Sequence, residues 1–359
     1  MLDTNGLGFR VAFQPDRKHI LGGGNGVILR WRLEDGEAVG KQTLGKTVYA
    51  ISASMNQKWI VCGTQEGASV WDAEMQEKII DVEGGDTVNA VDVSPDSTTF
   101  ATGADRAVSI WHMTSGERLV GPLKHDFYVT AVRFSPNGER IATASSGRPI
   151  RVFDSRNGDE LTTIETVTPS AWPNTLLAWS HDSRQIFAAS KDSKIKSFDV
   201  STGSKLAESQ TLNGGDVKSI ALAANGKFIA TFAGGVMFFL DTSTLSLIDP
   251  VIDDGKEIYS IALSLDSDYL ATTRVDGKIT IRDLGAILPD AYGPFHVSIC
   301  LFTMLACQIK PHSIFHYVRY LVARKGNQTS NFQPQVAMTT YHLIFPQYEF
   351  NIHSPKGPR

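Results

Sequence analysis

Apolar and polar residues alternate along most of this chain in short bursts bounded by Gly, Asn, Asp and Ser, the pattern of β-strands joined by tight turns. The bursts recur. VRFSPNGERIATAS at 132–145 aligns with VDVSPDSTTFATGA at 91–104, ISASMNQKWIVCGT at 51–64 and IALAANGKFIATFA at 220–233. IALSLDSDYLATTR at 261–274, LAWSHDSRQIFAAS at 177–190 and VAFQPDRKHILGGG at 11–24 complete the set. The leading apolar residues are Val11, Ile51, Val91, Val132, Leu177, Ile220 and Ile261, spaced by 40, 40, 41, 45, 43 and 41 residues. Each unit reads as a strand, a polar turn such as Ser135-Pro136-Asn137-Gly138, and a second strand. A Gly/Asp turn follows, then a third strand ending in a large residue, a turn such as Thr114-Ser115-Gly116, and a weaker fourth strand. Four antiparallel strands in about 40–45 residues make one propeller blade.

The Ser-Pro-Asp/Asn turn, the Ala-Thr-Gly or Ala-Thr-Ala strand and the closing Trp71-Asp72 and Trp111 resemble the WD-repeat β-propeller family, in register over residues 9–284. The resemblance implies an all-β fold: a seven-bladed β-propeller of four-stranded antiparallel blades. It also implies a hydrogen-bonded tetrad of His, Ser/Thr, Asp and Trp in each blade. Here the tetrad is complete in no blade. Blade three comes closest, with Thr102, Asp105 and Trp111. The slot of the family's Gly-His pair holds Gly45-Lys46, Gly85-Asp86, Lys124-His125, Gly215-Asp216 and Gly255-Lys256. Apolar strand packing is therefore expected to hold the blades, with blades six and seven, ending in Leu240 and Arg282, the most degenerate. Family members close the ring by lending a terminal strand to the last blade, because an open edge invites aggregation. Few residues precede the first strand, and Leu288–Phe295 contains Pro289 and Pro294, so an imperfectly closed ring or a truncated chain is expected.

Composition divides the chain in two. Residues 285–359 hold five of the nine histidines, two of the three cysteines, six Lys/Arg and two Asp/Glu, a net charge of +4. Since the whole chain carries −4, residues 1–284 carry −8. The expected domains are the propeller at 1–284 and a non-repeat tail at 285–359, partly helical or disordered. A net negative body disfavours general nucleic-acid binding. Cys62, Cys300 and Cys307 form no CxxC pair and suggest a reducing compartment. With no apolar core in Met1–Arg10 there is no signal-peptide pattern. A cytoplasmic protein is expected, with a nuclear location the alternative. Ala291–Ile309 lacks charge and approaches membrane-spanning length, but Pro294, His296, Ser298, Thr303 and Gln308 weaken it as an anchor.

Several stretches imitate catalytic or binding motifs. Gly40–Thr47 (GKQTLGKT) satisfies the phosphate-loop spacing, yet that loop works only between a buried strand and a helix, and Val48–Ser54 reads as a strand. Gly22–Gly26 matches half a dinucleotide fingerprint but reads as a turn. No G-x-S-x-G nucleophile elbow occurs. His19, His112, His125 and His181 fall in different blades without metal-ligand spacing and read as surface or turn residues. His312 and His316 lack a third ligand, Cys300 and Cys307 read as buried or interfacial thiols, and Asn327-Gln328-Thr329 matches a glycosylation acceptor only by pattern. No catalytic residue, metal or cofactor is expected, and nucleotide hydrolysis through Lys46 or a quinoprotein-like propeller is disfavoured.

Propellers bind at the loops joining strand four to strand one and strand two to strand three. The 45-residue spacing places an insertion between blades four and five, Thr168-Pro169-Ser170-Ala171-Trp172-Pro173. Trp and Arg dominate interface hot spots. The candidate partner-binding residues are Trp172, Arg148, Phe127, Tyr128, Arg106, Lys191 and Arg274, with Trp172 alternatively folding back over its own blade. The expected function is a non-catalytic scaffold or recognition module for a protein or peptide. The alternative is the sensor portion of a longer signalling protein.

Overall fold

The computed structural model describes residues 10–83, 86–166, 176–274 and 276–292. These contain 27 strands and no helix. Consecutive strands form seven antiparallel sheets. The first is β1 (Arg10–Phe13), β2 (His19–Gly24), β3 (Val27–Arg32) and β4 (Ala38–Thr43). Six sheets have four strands. The seventh, β25 (Ile258–Leu263), β26 (Tyr269–Arg274) and β27 (Ile279–Asp283), has three among the described residues. The first strands of all seven line one central channel. The seven-bladed propeller implied by the repeat is the fold.

The small residue late in the second strand of early blades has a packing cause. A Cβ built on Gly23 would lie 2.6 Å from Val48 Cγ1, on Gly63 2.7 Å from Val88 Cγ1, and on Gly103 2.6 Å from Val129 Cγ1. In each case the valine opens the first strand of the next blade. Glycine here lets neighbouring sheets approach to contact. Around these seams the core is aliphatic and aromatic: Val61, Val70, Val88, Val91, Phe100 and Met113 between blades two and three, for example.

The polar turns between first and second strands brace one another around the ring. In the turn at 94–99, Ser94 Oγ donates to Asp96 Oδ1 at 2.6 Å and accepts from Thr99 N at 3.0 Å. The same arrangement recurs at Ser54, Ser135, Ser180 and Ser264. The fourth turn residue is left-handed, with φ of 61° at Ser97, 60° at Ser183 and 61° at Ser267. Those three hydroxyls accept a backbone N–H from the preceding blade's turn: Asn56 at 3.1 Å, Asn137 at 3.2 Å and Ala224 at 2.6 Å.

Polar pairs stand where the resemblance implied a tetrad. Trp111 Nε1 donates to Thr102 Oγ1 at 2.8 Å in blade three. In blade four His125 is buried, its Nε2 2.8 Å from Thr143 Oγ1 and its ring 5.9 Å from that of Phe153. Of the expectation that His125 is a surface or turn residue, the surface part is corrected: it is a buried loop residue in the family's histidine position, and Phe153, lacking an N–H, replaces the tryptophan. Blade seven solves the same problem ionically. Arg282 Nη1 donates to Thr272 Oγ1 at 3.0 Å, and Nη2 pairs with Asp254, which lies four residues before its blade's first strand, as His125 does.

Blades seven and one meet through Val11, Ile20 and Trp31 against Ala271 and Ile279, with Arg17 3.6 Å from Asp266 at the turns. Residues 284–292 do not pair with β27. Leu284 and Leu288 pack with Phe228 and Phe239 of blade six, and Tyr292 Oη donates to Asp241 Oδ2 at 2.9 Å. The rest of the expected tail lies outside the described residues.

Candidate partner-binding site

In an antiparallel meander, the loops after the second and fourth strands of every blade open on one face. Four of the singled-out residues meet there at the seam of blades three and four. Arg106 lies in the turn between β10 (Thr99–Ala104) and β11 (Ala107–His112), and Arg148 in the turn between β14 (Arg140–Ser145) and β15 (Ile150–Asp154). Phe127 and Tyr128 lie between them, in the loop from β12 (Arg118–Lys124) to β13 (Val129–Phe134). Backbone hydrogen bonds fix the loop: His125 N to Arg106 O at 2.7 Å, Val129 N to Asp105 O at 2.7 Å, and Ser146 N to Tyr128 O at 3.0 Å.

The four side chains form two cation–aromatic pairs. The Arg148 guanidinium sits 4.1 Å from the Phe127 ring centroid, and the Arg106 guanidinium 5.9 Å from that of Tyr128. Phe127 is 40% and Tyr128 54% exposed. Large aromatics held in water with planar cations over them form a pre-ordered surface: the guanidinium limits ring rotation and stays weakly hydrated. Below them His125 and Arg151 tie the loop to blade four, Arg151 Nη1 donating to Lys124 O at 2.6 Å. Burial pushes the His125 pKa below its usual range, so at neutral pH the ring is uncharged and the cluster's positive charge is carried by arginine.

The remaining singled-out residues stand apart. Trp172 lies outside the described residues. Lys191 is exposed in the corresponding turn of blade five. Arg274 of blade seven is turned inward, its Nη2 donating to Asp276 Oδ2 at 2.8 Å. The phosphate-loop look-alike is β4 and the turn after it, and Lys46 pairs with Glu66. Among the described residues no three His, Cys, Asp or Glu side chains are grouped to hold a metal, and no helix is long and apolar enough to cross a membrane. Sequence reasoning overlooked the Asp254–Arg282 pair. The only available signal was Asp254 standing in the repeat position of His125.

The fold is that of a seven-bladed β-propeller of antiparallel sheets. Residues 77–112 and 118–154, two of the seven repeats, match the family model "WD domain, G-beta repeat". The chain is 27% identical over 174 residues to WD repeat-containing protein 91 homolog of Dictyostelium discoideum, covering 46% of this chain and 22% of that protein. It is 35% identical over 80 residues to WD repeat-containing protein 1 of Gallus gallus, covering 22% and 13%. To small ribosomal subunit protein RACK1 of Medicago sativa it is 31% identical over 74 residues, covering 20% and 23%. The matched stretches thus span less than a quarter of each of these relatives.

Proposed function

We propose that the protein is a non-catalytic recognition module that holds a protein or peptide on the face bearing Arg106, Phe127, Tyr128 and Arg148, in the cytoplasm. The observation that carries this reading is the pairing of two exposed aromatic rings with two arginines on loops pinned by backbone hydrogen bonds. Exposed aromatic–arginine clusters on rigid loops are how interfaces concentrate binding energy at low entropic cost. Lys191 extends the same face towards blade five. Partial coverage of the longer WD-repeat relatives favours a second reading, in which the propeller is the recognition part of a larger architecture.

The test compares wild type with Phe127→Ala/Arg148→Ala and with Lys41→Ala, a surface change in β4, in affinity capture from cell extract followed by reconstitution with the purified captured protein. A loss of about tenfold or more in affinity for the double variant, at unchanged melting temperature, is expected. Equal affinity for all three proteins would overturn the assignment of this face.

A further inference from the structure

The central channel has a volume of about 420 Å³, within the range of small-molecule sites. Its wall is chemically lopsided. At the position just after each repeat's leading apolar residue, blades two and four line it with Ser52 and Arg133, whereas blades one, five, six and seven line it with Ala12, Ala178, Ala221 and Ala262; blade three has Asp92 there. Arg10, from the first blade, adds a second guanidinium to the polar half.

These charges do not cancel. Asp92 accepts from Arg133 Nη1 at 3.1 Å and from the backbone N–H of Phe134 at 2.8 Å, so its carboxylate belongs to Arg133. Arg10 Nε donates to Tyr49 O at 3.0 Å, which fixes the plane of the guanidinium. Its two Nη groups have no hydrogen-bond partner among the described residues. Burial and the charge of Arg133 lower the Arg10 pKa to about 10, which leaves it protonated at neutral pH. Among the described residues the channel therefore holds one positive charge with no carboxylate paired to it. The carboxamide oxygen of Asn89, buried and without a partner, lines the same cavity.

We propose that the channel binds a small amphipathic anion, its carboxylate or phosphate seated on Arg10 beside Arg133 and its apolar body against the wall of Ala178, Ala221 and Ala262. A planar guanidinium with both Nη groups open is matched to a two-oxygen anionic head. Three alanines in register leave most of the opposite side apolar, with His181 and Ser260 its polar exceptions. This site is separate from the loop face and does not depend on it.

Calorimetric titration of the purified chain with phenyl phosphate, benzoate, inorganic phosphate and benzyl alcohol tests the idea. At least one of the two aryl anions should bind about tenfold or more tightly than both the headgroup-only ion and the neutral alcohol. Whichever aryl anion binds more tightly identifies the head as phosphate or carboxylate. Arg10→Ala should lose that binding, and Arg10→Lys should keep part of it. Ala221→Leu, which fills the apolar side and leaves Arg10 in place, should also abolish it, so the proposal stays testable if the arginine variants fail to fold. Failure of both aryl anions to bind, equal binding by benzyl alcohol, or binding that survives Ala221→Leu in a folded protein would overturn it.

Discussion

Asp254 and Arg282 form an ion pair across blade seven, in the positions that His125 and Phe153 occupy in blade four. Both side chains are largely withdrawn from solvent, at 9% and 15% exposure. Arg282 is further held by Thr272 Oγ1. Removing one partner strands the other charge in the protein, which costs more than the pair contributes. Arg282→Leu should therefore destabilise the fold by about 3 kcal/mol. Asp254→Leu/Arg282→Leu should recover much of that loss. Urea unfolding of the two variants checks this; a double variant no more stable than the single would contradict it.

Gly103 predicts a steric cost. A methyl group there meets Val129 Cγ1 at 2.6 Å and Val132 Cγ1 at 3.2 Å, in a seam with no slack. Gly103→Ala should lower stability by about 1–3 kcal/mol, as overpacking does. Adding Val129→Ala should return part of it. Thermal melts of the single and double variants distinguish this clash from a loss confined to the strand itself.

The serines at 97, 183 and 267 predict additive losses. Each hydroxyl accepts a backbone N–H from the neighbouring blade, and each is buried. Serine to alanine leaves that N–H unmatched at about 1 kcal/mol apiece. The three sites are far apart, so the triple variant should lose about 3 kcal/mol. A triple variant indistinguishable from wild type in denaturant midpoint would show that water replaces the hydroxyls without cost.

His125 predicts an acid-side sensitivity. Burial lowers its pKa in the folded state below 6.5, so between the two values the unfolded chain binds the proton and the native chain does not. Its contribution is fully present above about pH 6.5 and is lost as pH falls towards the folded value. Wild type should lose stability over that window, and His125→Gln should show a flatter profile there. Parallel slopes for the two proteins would exclude His125 as the titrating group.

The propeller was legible because its signal is repeated: a strand, a polar turn and a second strand such as Thr99–Ala104 recur seven times at spacings of 40 to 45 residues. The proximity of Arg106, Phe127, Tyr128 and Arg148 was legible for the same reason, since register alone placed them on neighbouring loops. What register does not carry is direction. Arg274 ends β26, where the loop equivalent to Arg106's begins, and its guanidinium is taken up by Asp276 two residues on. His125 read as a surface residue because burial of a loop depends on the next blade's Thr143, 18 residues away. The channel charge was invisible because Arg10 and Arg133 belong to different blades and become neighbours only when the ring closes.

The short segment after blade seven sets the polarity of the whole ring as a piece of apparatus. Tyr292, bonded to Asp241 at the end of a third strand, sits on the rim opposite the Phe127–Arg148 loops. A partner seated on those loops as proposed would therefore stand across the ring from the Tyr292–Asp241 anchor, which leaves the rim carrying that anchor free for a second contact.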